Sequence, residues 1–259
     1  MYCFAYNSCG ELLFPKPFEY YSPKSLGEAV SLLSKFENSR IIAGGQSLLP
    51  MMKLRLSSPD CLIDISGIKG LSGIAFKNGK VLVGAMTRIS EIERSEKLLK
   101  ALPALNEAAS HIGDVQVRNM GTIGGNISNA DPSNDMPLVA LACGAEIELY
   151  GKHGGRKVHS EKFFVDAYTT DAKHDEVVTA LAFPEAKASA YARVERRMGD
   201  YALAACAVSM EVSEGKIVKL ATACSGTALR PVRLDGLENE LAGKKFSRAS
   251  AEAAVEKAA

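Results

Sequence analysis

Two glycine doublets, each flanked by short polar side chains, constrain this chain more than any other feature of its sequence. Paired glycines leave room for several backbone N–H groups to converge on one phosphate, since no side chain blocks the approach. Two such segments in one chain therefore predict two loops that hold a bound diphosphate from both sides. The segments comprise Ile42, Ala43, Gly44, Gly45, Gln46, Ser47 and Leu48, and then Thr122, Ile123, Gly124, Gly125 and Asn126.

The side chains around the doublets are neutral hydrogen-bonding groups rather than lysines. The chain contains neither G-x-x-x-x-G-K-[ST] nor G-x-G-x-x-G, so a P-loop and a Rossmann fingerprint are both excluded. The polar run from Asn126 to Asp135 suits the ribityl and ribose hydroxyls of a dinucleotide, and an ionised Asp135 is favoured near a helix start. The same run also fits plain helix capping and Asx turns.

Charge and hydropathy exclude two classes of partner. The formal net charge is +1, which gives no field to attract nucleic acid. No apolar run reaches the roughly 18 to 20 residues that a transmembrane helix needs, and the first residues do not resemble a secretion signal. The 6 cysteines contain no C-x-x-C pair, which argues against a metal or iron-sulfur site in this chain. We therefore expect a cytoplasmic protein with no metal of its own.

Hydrophobic periodicity and turn signals predict an α+β fold with a linker after Pro184. A strand at 18–21, a capped helix from Ser25 and a strand at 40–43 precede the first doublet. Helices are predicted at 88–94 and 95–112, and a further helix from Asp131 onward. Antiparallel strands are predicted at 191–197, 202–212 and 216–225, followed by two helical segments that complete a small α+β domain. The glycine-containing sequences at 77–80 and 213–215 predict tight turns.

The motifs resemble those of one known family. The stretches 42–53 and 112–126, the latter continuing as Ala-Asp-Pro-Ser-Asn-Asp-Met-Pro at 130–137, look like the FAD-binding medium subunit of the molybdenum hydroxylases. This group includes carbon monoxide dehydrogenases, xanthine dehydrogenases and aldehyde oxidoreductases. A third stretch, Arg-Arg-Met-Gly-Asp-Tyr-Ala at 196–202, resembles the start of the family's C-terminal domain. The likeness runs from about Pro17 to about Leu241.

The resemblance implies a two-lobed FAD-binding domain of the vanillyl-alcohol-oxidase or PCMH type, followed by a small α+β C-terminal domain. The expected boundaries are an unmatched extension at 1–16, a FAD domain at 17–184 with lobes at 17–58 and 59–184, and a C-terminal domain at 185–259. Both glycine segments would bind the FAD diphosphate. By the same transfer, Asp135 would contact FAD, Ile112 would lie against the isoalloxazine ring, Tyr201 would stand near it, and Val178 would contribute from the last strand.

The sequence departs from the family pattern near the flavin. Relatives often carry a lysine just after the aromatic residue that corresponds to Tyr191, where this chain has Ala192. Strand alternation places the adjacent Arg193 on the opposite face of the strand from position 192. We therefore expect no positive side chain near the flavin at this point. Relatives also continue past the position of Ala259 with another helical segment.

The resemblance also implies the function and the partners. FAD would take electrons from two 2Fe-2S clusters on a small subunit and pass them to an external acceptor, while a large molybdopterin subunit oxidises the substrate. A dimer of such heterotrimers is expected, with no catalytic acid, base or nucleophile in this chain. Carbon monoxide, an aldehyde, a purine or another heterocycle all remain open as substrates. Two alternatives are a self-contained FAD oxidase or reductase of the same fold, and a non-enzymatic nucleotide-binding assembly module.

Overall fold

The computed structural model describes residues 14–258, so most of the predicted 1–16 extension, with Cys3 and Cys9, lies outside the described residues. The helices are α1 (Leu26–Lys35), α2 (Leu48–Lys53), α3 (Ile89–Glu93), α4 (Glu96–Ala101), α5 (Pro103–His111), α6 (Val115–Met120), α7 (Ile123–Asn129), α8 (Asp135–Ala142), α9 (Ser160–Phe163), α10 (Asp235–Leu241) and α11 (Arg248–Ala258). The strands are β1 (Glu19–Tyr21), β2 (Ser39–Ile42), β3 (Cys61–Asp64), β4 (Ile74–Lys77), β5 (Lys80–Gly84), β6 (Glu146–Gly151), β7 (Gly154–His159), β8 (Phe164–Asp166), β9 (Thr169–Thr170), β10 (Val177–Pro184), β11 (Ser189–Val194), β12 (Ala204–Ser213), β13 (Lys216–Ser225) and β14 (Val232–Arg233).

The first sheet is small and parallel, with strand order β1-β3-β2. Helix α1 begins where the Ser25 hydroxyl accepts a hydrogen bond from the Glu28 N–H, and it buries Ala29, Val30 and Leu33 against this sheet. Because β3 is the central strand, the sheet extends beyond residue 58, where the sequence predicted the first lobe to end.

The second sheet is antiparallel, with strand order β4-β5-β10-β6-β7. The predicted turn between Lys77 and Lys80 is confirmed: Asn78 and Gly79 both have positive φ, at 52° and 69°, as a tight hairpin requires. Helices α3, α4, α5, α7 and α8 bury apolar residues in the core beside this sheet, and α8 is buried along its whole length, whereas α6 has no buried residue. The second glycine segment therefore packs against this sheet, which fixes its position.

The C-terminal sheet contains β11-β12-β13-β14 and continues the main core. Its β12–β13 turn uses Glu214 and Gly215 at positive φ, as the Ser-Glu-Gly sequence predicted. Helix α8 packs against β12 and β13, so the residues of the second and third motifs are brought to one place. Helices α10 and α11 form a small separate cluster with Ile217.

The predicted α+β fold class is confirmed, and two local predictions are wrong. The second glycine segment is not a loop: Gly124 and Gly125 lie in the first turn of α7, capped by Thr122. The helix predicted from Asp131 begins at Asp135, because residues 131–133 form a turn in which Asp131 accepts the Ser133 N–H. Within residues 14–258, none of the helices combines the length and apolarity needed to cross a bilayer.

Candidate cofactor-binding site

A cavity of about 640 Å³ lies where the two glycine segments, the second sheet and the C-terminal sheet meet. This volume is typical of sites for cofactors and other small molecules. All of the predicted site residues except Ile123 line the cavity. The Ile123 side chain is fully buried in the hydrophobic core and does not line the cavity.

The first glycine segment is pressed against the end of α6. A Cβ added at Gly44 would lie 2.2 Å from the Met120 carbonyl oxygen, so only glycine permits this approach. Gly45 has a φ of +72°, and the turn then leads into α2. In the described part of the chain, the backbone N–H groups of residues 44–48 donate to no protein acceptor. They remain available to an acceptor inside the cavity.

The second glycine segment uses its backbone differently from the sequence prediction. The N–H groups of Ile123 and Gly124 donate to carbonyl oxygens of Thr87 and Ala85, at 3.1 Å and 2.8 Å. The Gly125 N–H donates to the Thr122 hydroxyl oxygen at 3.2 Å. A Cβ at Gly124 would lie 2.5 Å from the Ala85 Cβ. These glycines therefore allow α7 to pack closely on the sheet. Because the N–H groups of residues 123–125 are already bonded within the protein, this segment can contact a ligand chiefly through its side chains.

Two side chains of the second segment, Thr122 and Asn126, have hydrogen-bonding groups at the cavity that the described protein residues do not use. The Asn126 side-chain oxygen is buried and has no hydrogen-bond partner within residues 14–258. The Thr122 hydroxyl is used as an acceptor, so its own proton remains free to be donated. Unpartnered buried polar atoms are uncommon in folded proteins and point to a ligand. Together with free amides on the facing turn and apolar walls at Ile112 and Val178, these groups fit a dinucleotide.

Asp135 forms the buried polar centre of the cavity wall. It is 5% exposed, accepts a short hydrogen bond from the Tyr191 hydroxyl and pairs with Arg193 at 3.2 Å. Burial raises the pKa of the Asp135 carboxyl, while the Tyr191 hydrogen bond and the Arg193 charge act in the opposite direction. Arg193 also pairs with Glu195 and donates to the Asp200 carbonyl oxygen at 2.9 Å, so it ties the third motif to α8.

Arg193 is the main residue that the sequence prediction missed. Its side chain is 2% exposed, it lines the cavity, and its Nε has no partner among the described residues. Alternation along β11 does separate positions 192 and 193, but Ala192 lies on the outer, exposed face. The inference that the site lacks this positive charge is therefore wrong, because it placed the cavity on the wrong face of the strand.

Tyr201 stands at the rim of the cavity, beside a second tyrosine that the sequence did not indicate. Tyr168 lines the same rim, and its hydroxyl donates to Asp131 at 2.9 Å. Burial and this hydrogen bond raise the pKa of Tyr168 to about 12. Burial and the charges of Asp131 and Asp135 raise the pKa of Tyr201. Both phenols therefore stay protonated at neutral pH and present neutral rings to the cavity.

The turn that presents Ile112 is held from behind by Arg118. Its guanidinium donates to the carbonyl oxygens of Ile112 and Gly113, at 3.2 Å and 3.1 Å, and pairs with Glu93 at 2.9 Å. Gly113 needs a φ of +50°, and Gly199 of the third motif packs against its carbonyl oxygen. Arg118 therefore fixes both the Ile112 side chain and the point where the second and third motifs meet.

Arg118→Met is expected to lower the free energy of unfolding by about 2 to 3 kcal/mol, since hydrogen bonds to a charged group are lost around a partly buried carboxylate. Affinity for FAD, the cofactor that the motif resemblance implies, should fall as well, because the Ile112 turn loses its support. Urea unfolding of the apoprotein and flavin titration measure the two effects. Arg94→Met is the matched control, because Arg94 is exposed on a neighbouring turn. Equal effects from both variants would contradict the assigned role.

The far end of the cavity contains His174, which the sequence analysis did not single out. Its Nε2 lies 3.0 Å from the Leu33 carbonyl oxygen, 3.1 Å from that of Phe36 and 3.4 Å from the Ser39 hydroxyl. His174 thus joins the 170s segment to the first sheet. No local motif surrounds it, so only the tertiary structure could reveal it.

Comparison with protein families identifies the fold and the cofactor together. Residues 16–186 match the FAD binding domain in molybdopterin dehydrogenase, and residues 189–259 match the CO dehydrogenase flavoprotein C-terminal domain. The chain belongs to the FAD-binding medium subunits of the molybdenum hydroxylases. Its cofactor is FAD, and it is a subunit of an oxidoreductase.

Several curated proteins of this family align over most of the chain. The carbon monoxide dehydrogenase medium chain of Hydrogenophaga pseudoflava is 40% identical over 250 residues, covering 95% of this chain and 87% of that protein. The glyceraldehyde dehydrogenase medium chain of Sulfolobus acidocaldarius is also 40% identical, over 91% of this chain and 84% of its own. The family resemblance inferred from the motifs is therefore confirmed.

Solved structures agree with the sequence relatives. Carbon monoxide dehydrogenase from Hydrogenophaga pseudoflava, in a form that lacks the Mo-pyranopterin moiety of the molybdenum cofactor, matches with a TM-score of 0.90 at 41% identity. The match covers 94% of this chain and 86% of that one. Quinoline 2-oxidoreductase from Pseudomonas putida 86 matches with a TM-score of 0.89 at 32% identity, over 95% of this chain and 86% of that one.

Proposed function

We propose that this chain takes electrons from the 2Fe-2S clusters of a small partner subunit and passes them through FAD to an external acceptor, while a large molybdopterin subunit oxidises the substrate. Family membership supports this proposal, because the relatives named above are medium chains of multi-chain dehydrogenases. A dimer of heterotrimers in the cytoplasm is part of the same proposal. The observation that carries it is the cavity shared by three motif segments, with the amides of residues 44–48 left without protein acceptors.

The residues divide the cavity into two functional parts in this proposal. The amides of 44–48, with the side chains of Ser47, Thr122 and Asn126, would hold the diphosphate, since all lie on the cavity wall. Ile42, Ala43 and Leu48 would shape the wall beside them. When bound, FAD supplies the redox chemistry, because a flavin can accept electrons one at a time and deliver them as a pair. The chain provides binding, orientation and electrostatics for it.

Ile112, Val178 and Tyr201 would border the isoalloxazine ring in this proposal, with Asp135 and Arg193 behind them. All five residues line the cavity. The Arg193 guanidinium is held by two carboxylates, and it places a fixed positive charge in the wall. The two carboxylates offset this charge and hold the guanidinium in place, so Arg193 is pre-organised chiefly as a hydrogen-bond donor to a bound group.

A purified chain with FAD bound is expected to accept electrons from dithionite and deliver them to a tetrazolium dye, yet to oxidise no aldehyde, purine or carbon monoxide without its partner subunits. The flavin absorption band near roughly 450 nm follows each transfer. Substrate turnover should appear only when a molybdopterin subunit and a 2Fe-2S subunit are added together. The control is the same partner pair without this chain.

Two results would overturn the proposal in different directions. Turnover of an organic donor by the chain alone would favour a self-contained FAD oxidase or reductase. A native complex that is colourless near roughly 450 nm and releases no FAD on extraction would favour the assembly module.

A further inference from the structure

Two cysteines face each other across the C-terminal sheet. Cys206 in β12 and Cys224 in β13 are direct partners in the antiparallel register. Both are free thiols of intermediate exposure, whereas Cys61 and Cys143 are buried. Residues that are directly opposite in an antiparallel pair share one face of the sheet, with their Cβ atoms roughly 4.5 to 5.5 Å apart.

This separation is close to what a disulfide requires. The Cα atoms of opposite residues lie roughly 4.5 to 5.5 Å apart, inside the range that disulfides adopt, and the Cβ atoms need to approach by only about 1 Å. No change of strand register is needed. The backbone thus already holds the two sulfurs at a distance from which they can join.

The outer face of the sheet leaves this pair open to reagents. Cys206 pairs with Ala192 on the neighbouring strand, and Ala192 and Ala204 are both exposed. Their methyl groups are small, and Val232, which pairs with Cys224 on β14, is itself partly exposed, so both thiols keep intermediate exposure. Tyr191 and Arg193, on either side of Ala192, point to the opposite face and into the core and cavity wall. The cysteine pair is therefore separate from the FAD cavity, and its chemistry does not depend on the proposed electron transfer.

We propose that Cys206 and Cys224 form a reversible dithiol–disulfide pair that is oxidised by low-molecular-weight disulfides. One cysteine thiolate attacks the small disulfide, forms a mixed disulfide and releases one small thiol. The second cysteine then attacks the protein sulfur of the mixed disulfide and releases the other small thiol. The two cysteines lose two electrons and two protons in total, and the small disulfide gains them as two thiols.

The order of attack follows from the local environment. Burial raises the pKa of the Cys206 thiol, and the neighbouring Cys224 adds to this effect. A thiol with a raised pKa forms less thiolate, so Cys206 is the poorer first nucleophile. The Cys224 sulfur lies 3.7 Å from the Thr227 hydroxyl, which can donate a hydrogen bond to a thiolate, so we expect Cys224 to attack the small disulfide first and Cys206 to resolve the mixed disulfide.

Trypsin places the two cysteines on separate peptides, which makes the test direct. Cleavage yields Met198–Lys216 with Cys206 as its one cysteine, and Leu220–Arg233 with Cys224, because the Arg230–Pro231 bond resists trypsin. The full-length FAD-loaded chain is equilibrated with oxidised and reduced glutathione, alkylated, digested and analysed by mass spectrometry. We expect the linked peptide pair to exceed any other cysteine-linked pair by about 10-fold, and dithiothreitol to abolish it.

Variants keep the proposal testable from both sides. Cys206→Ser should stop the reaction at a glutathione adduct on Cys224, whereas Cys224→Ser should react more slowly because the poorer nucleophile remains. Cys143→Ser is the matched control and should leave the linked pair unchanged, since Cys143 is buried and burial raises its pKa to about 12. Alkylation of both thiols at the most oxidising ratio would overturn the proposal, and so would glutathione adducts that never resolve.

Discussion

Gly44→Ala is expected to weaken FAD binding by about 100-fold or more, the equivalent of losing two hydrogen bonds to a charged group. The added Cβ would lie 2.2 Å from the Met120 carbonyl oxygen and 2.7 Å from the Gly121 Cα, both of them backbone atoms that cannot rotate away. The first glycine segment must therefore move as a unit. Its free amides at 44–48 would then no longer meet the diphosphate. Titration of the apoprotein with FAD, followed by flavin fluorescence, measures the loss.

The same substitution should also destabilise the apoprotein, by about 1 to 3 kcal/mol, as overpacking of a tight contact does. Gly27→Ala is the matched control, because a Cβ there meets nothing within 4 Å. Gly27 lies in the first turn of α1, so the alanine should change stability by no more than about 0.5 kcal/mol, in the stabilising direction, and leave FAD affinity unchanged. An alanine at 44 that binds FAD as tightly as the native chain would show that the amides of 44–48 do not hold the cofactor.

The sequence could predict that the two glycine segments meet, but not how each uses its backbone. A glycine doublet beside polar residues fits both a phosphate cradle and a close packing contact. At Gly44 the turn leaves the amides free, whereas at Gly124 the α7 backbone is already bonded to Ala85. The packing partner that decides between these uses, Ala85, lies 39 positions before Gly124 in the sequence. Local sequence carries no trace of it.

Hairpins were predicted more reliably than the site because their chemistry is local. Asn78-Gly79 and Glu214-Gly215 both adopt positive φ, and a residue pair containing glycine is enough to indicate this. Helix α8 was placed too early because Asp131 and Ser133 bond to each other in a turn instead of capping the helix. Short polar side chains serve either purpose, and the choice depends on where the neighbouring elements pack.

The error at Arg193 arose from an ambiguity that every strand has. Alternation shows that positions 192 and 193 lie on opposite faces, but it does not show which face is the inner one. The small buried residues Ala205 and Ala207 on β12 are the signal that could have decided this. They share a face with Arg193 and Tyr191, and small residues there let α8 approach closely.

Arg193→Met is expected to lower the free energy of unfolding at neutral pH by about 3 to 5 kcal/mol, which is the range for removing one partner of a buried ion pair. Asp135 would remain buried and charged, with only the Tyr191 hydroxyl as a hydrogen-bond donor among these side chains. Urea unfolding of the apoprotein measures the loss without any contribution from FAD. The double variant Arg193→Met/Asp135→Leu should recover much of the stability, because the buried Asp135 charge is gone and Glu195, the other partner of Arg193, is partly exposed to water.

The pH dependence separates this electrostatic cause from simple loss of packing. Burial raises the pKa of Asp135 in the folded chain, so folding favours its protonated form, and the associated stability is lost as pH rises through the folded-state pKa. Removing Arg193 takes away a charge that lowers this pKa, so the carboxyl would protonate at a still higher pH. The deficit of Arg193→Met should therefore be largest at neutral and higher pH, and should shrink as the pH falls through the folded-state pKa of Asp135 and the carboxyl takes up a proton. If the stability loss of Arg193→Met is the same at neutral and at acidic pH, lost side-chain packing causes it. The ion pair would then have no special part in joining the third motif to α8.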